Sequence, residues 1–142
     1  MPGAASLEAR QYYAHPRNAF WPILGSILGF DPALPYARRV AALKRARIAV
    51  WDVCEAARRK GSLDSAIARE TIRPNDFAGL FAAHPSFEAV LLNGATAVSL
   101  FAKLVAPTLS ACPERRPLPS TSPAHAGMDF AEKRRRWGEA LR

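Results

Sequence analysis

Ten consecutive residues near the start of the chain, Tyr12–Trp21 (YYAHPRNAFW), bring together four aromatic rings, a His, an Arg and an Asn. Rings of this kind stack on flat heterocycles, and a carboxamide offers both a donor and an acceptor to a water or a base edge. A guanidinium grips phosphate in a fixed fork. The mixture predicts a nucleotide pocket rather than plain core, although Phe20 and Trp21, at helical spacing, read as packing residues.

The charge agrees with a polyanionic partner. The 142-residue chain carries a net charge of +8, and arginines cluster at Arg38/Arg39, Arg45/Arg47, Arg58/Arg59, Arg115/Arg116 and Arg134–Arg136. Nucleic acid fits this balance, because neutralised phosphates release counterions and drive association. An Arg-rich surface that is merely solvated is the plainer alternative. No apolar run approaches the ~20 residues that cross a bilayer, so no membrane partner is expected. Cys54 and Cys112 form no CxxC pair, which predicts reduced thiols and a cytoplasmic setting. Neither the Cys nor the His residues stand at ligand spacing, so neither metal nor organic cofactor is expected.

The elements that must position this chemistry follow from periodicity. Apolar spacing over Phe20, Ile23, Leu24, Ile27 and Leu28 predicts a helix with Pro16 in its first turn. A second helix is predicted over Tyr36–Ala46, with Val40 and Leu43 inward. Ile48–Val53 (IAVWDV) and Phe87–Leu92 (FEAVLL) read as buried strands, and Lys60–Ser62 as a loop. Pro74 is expected to open a helix through Phe77, Leu80 and Phe81. Asn93–Gly94 should turn directly into a helix over Ala95–Val105. A Pro/Ser-rich stretch follows, with a short strand near Arg116–Leu118, and Asp129 should start a closing helix through Trp137. Strands alternating with helices imply an α/β fold, a three-layer α/β/α arrangement with a short central parallel sheet. Ligands bind beyond the carboxyl ends of such strands. With two clear strands and one weak one, the sheet looks one strand short at its start.

Three ordered blocks carry a family resemblance. AHPRNAFW at Ala14–Trp21, LLNGATA at Leu91–Ala97 and LPSTSPAHAG at Leu118–Gly127 resemble the motifs of the uracil-DNA glycosylase superfamily, and within it of the hypoxanthine-DNA (DNA-deoxyinosine) glycosylases. The resemblance spans most of the chain and implies a single domain over residues 1–142. In the family a strand precedes a Pro-Gly pair at the place of Pro2–Gly3. The resemblance therefore implies that Met1 is internal to a longer protein whose first strand is missing here.

The implied activity is monofunctional hydrolysis of the N-glycosidic bond of a deaminated base in DNA, hypoxanthine above all, in base excision repair. The target must first leave the stack and enter a pocket. By resemblance, Asn18 is the catalytic residue that orients water or holds the base edge, where a structural Asn would only cap backbone amides. Tyr13 is the ring that stacks on the flipped base, Asn93 reads its Watson–Crick edge, and His125 meets the base or a phosphate. Arg17, Ser120, Thr121 and Ser122 are expected to contact DNA, His15 to brace its turn, and Asp52 to be structural. Two alternatives stay open: a mismatch-specific uracil/thymine-DNA glycosylase, and a non-catalytic DNA-binding remnant. The partner is DNA containing deaminated bases, bound by a monomer.

Overall fold

A computed structural model describes residues 3–59 and 67–142, which divide into two compact units. One unit runs from Asp52 to Ser120; the other joins the residues up to Trp51 with Thr121–Arg142.

The second of these units is helical. Helix α1 (Ala4–Ala9) ends at Arg10, whose left-handed φ of 52° and N–H to Leu7 O stop it; no periodicity predicts so short an element. Helix α2 (Phe20–Leu28) buries Phe20, Trp21, Ile23 and Leu24 on one face, the i, i+3, i+4 pattern expected of an amphipathic helix. Pro22 lies in its first turn, where a missing N–H costs nothing. Gly29, at φ 75°, closes the helix with its N–H on Gly25 O at 2.9 Å, a conformation glycine adopts without steric penalty.

The helix starts at Phe20 rather than near Pro16. The Asn18 Oδ1 takes the Phe20 N–H and the His15 Nδ1 takes the Arg17 N–H. Side chains thus satisfy amides that a helix would otherwise use. Helix α3 (Tyr36–Arg45) buries Ala42 and Leu43, with Val40 half-buried and Arg38 exposed. Helix α6 (Phe130–Ala140) begins as expected at Asp129, whose carboxylate accepts the Glu132 N–H at 2.8 Å. Trp137 faces inward, edge-on to Phe20 at 5.9 Å and 87° between ring planes.

The Asp52–Ser120 unit holds the strands. Strand β3 (Ala89–Asn93) pairs in parallel with β4 (Glu114–Leu118), Ala89 opposite Glu114 and Asn93 opposite Leu118. Both follow from the sequence reading with edges shifted by two residues. Between them run α5 (Ala95–Leu100), a π-helical turn Phe101–Val105 and a short 3₁₀ turn Ala106–Thr108. Helix α4 (Phe77–Ala83) is capped by the Asp76 carboxylate. Phe77, Leu92, Phe101 and Val105 form the core of this unit, with Val53, Leu80, Phe81 and Val90 packed around them.

The Ile48–Val53 strand is not formed. Arg47 turns left-handed at φ 59°, and the Ile48 N–H folds back onto Leu43 O at 2.9 Å. That is a helix stop of the Schellman type, after which residues 48–53 run on without forming a strand. Trp51 is 42% exposed. The strand instead begins at β1 (Cys54–Arg59), antiparallel to β2 (Ile67–Pro74), with irregular register between Cys54 and Arg58. Pro74 therefore ends a strand instead of opening a helix, at a terminal position where its missing donor is tolerated. The Lys60–Ser62 loop lies outside the described residues. The fold is α/β, with its parallel pair where the sequence placed it and an unforeseen antiparallel pair beside it in the chain.

On α6, Arg135 and Arg136 hydrogen-bond the Glu132 carboxylate at 2.7–2.8 Å and hold it at about 2, against an ordinary 4.5. A depressed carboxyl stabilises the folded form above its ordinary value and loses that contribution as pH falls through 4.5 toward 2. Thermal melts over this pH range should therefore show a smaller acid-induced drop for Glu132→Gln than for the native chain. Equal drops would mean that the α6 ion network is inert.

Candidate functional site

The residues from Gln11 to Ala14 are held by contacts from three separate helices. The Ala14 N–H donates to the buried Ser6 Oγ at 3.1 Å, and the Gln11 N–H to Ser6 O at 3.0 Å. The Tyr12 N–H reaches the Tyr36 hydroxyl at 3.2 Å, and the Trp21 Nε1–H reaches Tyr12 O at 2.9 Å. Arg39 lies over the Trp21 ring at 4.6 Å and the Tyr36 ring at 5.5 Å, its guanidinium lowered in pKa by burial.

This clamp explains Tyr13. Its φ of 54° is left-handed, a strain of about 1–3 kcal/mol for a bulky residue. Net hydrogen bonds contribute about 1 kcal/mol apiece, so the four around it suffice to hold the strained form. The Tyr13 ring lies on Phe20 with centroids 3.9 Å apart and planes 21° from parallel. Phe20, 4% exposed, and Trp21 are core, as their helical spacing predicts. Tyr13 itself is half-buried.

Five residues along the chain, Asn18 sits half-buried at the entrance to α2. Its N–H donates to His15 O at 2.9 Å and its Oδ1 accepts from Phe20 N–H at 3.0 Å. The amide is thereby fixed in orientation, with one Oδ1 lone pair and the Nδ2 hydrogens left for other partners. His15 braces the turn, since its Nδ1 accepts the Arg17 N–H at 3.1 Å; the Arg17 side chain is exposed.

The next residue ties this segment to the Pro/Ser-rich block: the Ala19 N–H donates to Thr121 O at 2.9 Å. Thr121 is 1% exposed. Through Ala19, its carbonyl ties the start of the loop to the entrance of α2. Beyond it, Ser122 organises a turn, its Oγ accepting from Ala124 N–H and its O from His125 N–H. Residues 124–127 are exposed, His125 among them. The His125 carbonyl accepts from the buried Lys133 Nζ at 2.8 Å, a contact absent from the sequence reading.

In the Asp52–Ser120 unit, Asn93 stands at the carboxyl end of β3, half-buried, opposite Leu118. Gly94 follows at φ 93° with its N–H on Leu118 O at 2.9 Å. A Cβ there would meet the Ser120 Cβ at 2.9 Å. Only glycine permits both the backbone conformation and this approach of Ser120. The Asp52 carbonyl accepts from Asn75 Nδ2 at 2.7 Å. Among the described residues no cluster of His, Cys, Asp and Glu has the makings of a metal site, and no helix is long and apolar enough to cross a membrane. Cys54 is buried and Cys112 exposed, both as free thiols.

The parallel β–turn–helix of the Asp52–Ser120 unit places the chain in the α/β class. A solution NMR structure of a candidate uracil DNA glycosylase from Methanosarcina acetivorans superimposes with a TM-score of 0.79 at 32% identity, over 99% of this chain and 84% of that one. The chain belongs to the uracil-DNA glycosylase superfamily. Its sequence relatives include proteins named hypoxanthine DNA glycosylase from Methanosarcina barkeri and M. acetivorans, 44% and 38% identical over 95 residues. That match takes in 66% of this chain, which spans 59% of the length of these curated relatives. No family model matches the chain.

The clamp yields a test. Tyr36→Phe leaves the Tyr12 N–H without its acceptor and should lower stability by about 1 kcal/mol in chemical denaturation. Unchanged stability would show that the hydroxyl does not hold the Tyr12–Tyr13 backbone.

Proposed function

We propose that this chain is a monofunctional DNA glycosylase that hydrolyses the N-glycosidic bond of deaminated bases, with hypoxanthine as the preferred target. The observation that carries the reading is the fixed Asn18 amide five residues after a strained, stacked Tyr13. It is supported by the names of the two Methanosarcina relatives. The net charge of +8 suits a DNA substrate.

In this reading the flipped hypoxanthine lies on the outer face of Tyr13 and extends the stack begun by Phe20. The remaining Oδ1 lone pair of Asn18 accepts a hydrogen from the attacking water and aims its oxygen at C1′. A carboxamide is no base, so the water is oriented rather than deprotonated. The C1′–N9 bond breaks ahead of attack, its electron pair passing to the departing base, and the sugar reaches an oxocarbenium-like state. Water then adds at C1′ and its proton passes to the departing base, leaving an abasic site and the free, neutral base. Donors aimed at the base where negative charge develops lower this barrier most. Asn93 and His125 are the residues proposed for that task, Asn93 at the Watson–Crick edge. Arg17, Ser120, Thr121 and Ser122 are proposed to hold flanking phosphates, Thr121 through its backbone since its side chain is buried. No lysine is assigned to attack C1′, so strand cleavage is not part of the reaction. The protein acts as a soluble monomer in the cytoplasm in this account, as one domain and without a cofactor.

Asn18→Ala separates catalysis from charge-driven binding. Excision of hypoxanthine in single turnover should fall by about a hundredfold or more. The affinity for duplex DNA and its dependence on salt should stay as in the native chain. Excision at the native rate would remove Asn18 from the mechanism.

A further inference from the structure

Among the charged side chains of the described residues, Lys133 alone is buried, at 6% exposed. It lies on the inner face of α6, one turn before Trp137, while Arg134, Arg135 and Arg136 face solvent. No carboxylate among the described residues pairs with it: the neighbouring Glu132 is taken up by Arg135 and Arg136. Its one hydrogen bond runs from Nζ to the His125 carbonyl at 2.8 Å.

This is a costly arrangement. An ammonium ion withdrawn from water without a counter-ion loses hydration, and a single neutral carbonyl restores only part of it. Burial accordingly pushes the Lys133 pKa down. An apolar side chain of similar length would fill the same space without that penalty. What the lysine supplies, and an apolar residue cannot, is a donor to the middle of the exposed loop. The loop is anchored at its start, where Thr121 O accepts from Ala19 N–H. The Ser122 turn then carries the chain outward, and residues 124–127 are exposed. Without Lys133, nothing described beyond that turn holds the His125 backbone.

We propose that Lys133 is a positioning residue, holding the His125 carbonyl so that the exposed His125 side chain is presented to DNA in a fixed orientation. The inference rests on the glycosylase reading for the identity of the DNA substrate. The cost of burial is then the cost of a preorganised loop, a trade of stability for function.

A double-mutant cycle tests it, with Lys133→Met, His125→Ala and the pair, read as single-turnover excision from an inosine duplex, duplex affinity and thermal melting. Lys133→Met should melt at or above the native temperature while its excision efficiency falls about tenfold, the equivalent of one charge-assisted hydrogen bond. The double variant should fall no further than His125→Ala, within about twofold, because the two residues act as one unit. Additive losses, or native excision by Lys133→Met, would overturn the proposal. Should Lys133→Met not fold, Lys133→Leu, which likewise lacks a donor, carries the same cycle. If the native chain excises nothing, the glycosylase reading fails, and the cycle is read on duplex affinity. Non-additive weakening there upholds Lys133, and additive or absent weakening overturns it.

Discussion

Tyr13 sits in a backbone conformation that a tyrosine avoids, and the helical unit is arranged around keeping it there. Ser6 on α1, Trp21 on α2 and Tyr36 on α3 each give a hydrogen bond partner to the Gln11–Ala14 segment. In return the tyrosine ring covers Phe20 at 3.9 Å, and Phe20 meets Trp137 of α6 edge-on. The ring contacts thus link α2, α3 and α6, and the Ser6 hydrogen bonds add α1. Strain of this kind persists only where the surroundings over-determine it, and such places are enriched in functional sites. The same segment leads within five residues to Asn18, whose amide is fixed by the first turn of α2.

A second constraint governs the 118–127 segment. Gly94 permits Ser120 an approach that any other residue would block, and Thr121 is bound through its carbonyl to Ala19. Two consecutive residues are therefore fixed by different parts of the chain, one in each compact unit. The loop that follows is exposed over residues 124–127. Its shape depends on the Ser122 turn and on a buried lysine from α6.

Much of this was legible in residue order because the signals are local. The Asn93–Gly94 turn, the parallel strand at Glu114–Leu118, the Asp129 cap and the core role of Phe20 and Trp21 all depend on neighbours within a few positions. The features that escaped depend on distance. The Tyr12–Tyr36 bond spans 24 residues, and nothing at either end marks it. The Ile48–Val53 run has strand propensity, but the helix stop at Arg47–Ile48 precedes it and it forms no strand, as propensity yields to tertiary context. Cys54–Arg59 lacks the alternation of a strand, yet it pairs with Ile67–Pro74. Lys133 was the nearest miss: it stands four residues before Trp137, on the same face, but reads as one cation in a basic run.

The most direct test of the account is single-turnover incubation of this chain with duplexes carrying inosine, uracil or a G·T mispair, followed by alkali. The account predicts breaks at inosine, faster than at uracil or at the mispaired thymine. Intact strands at all three, from a chain that still binds the duplex, would contradict the enzymatic reading and leave a protein that holds DNA without excising from it.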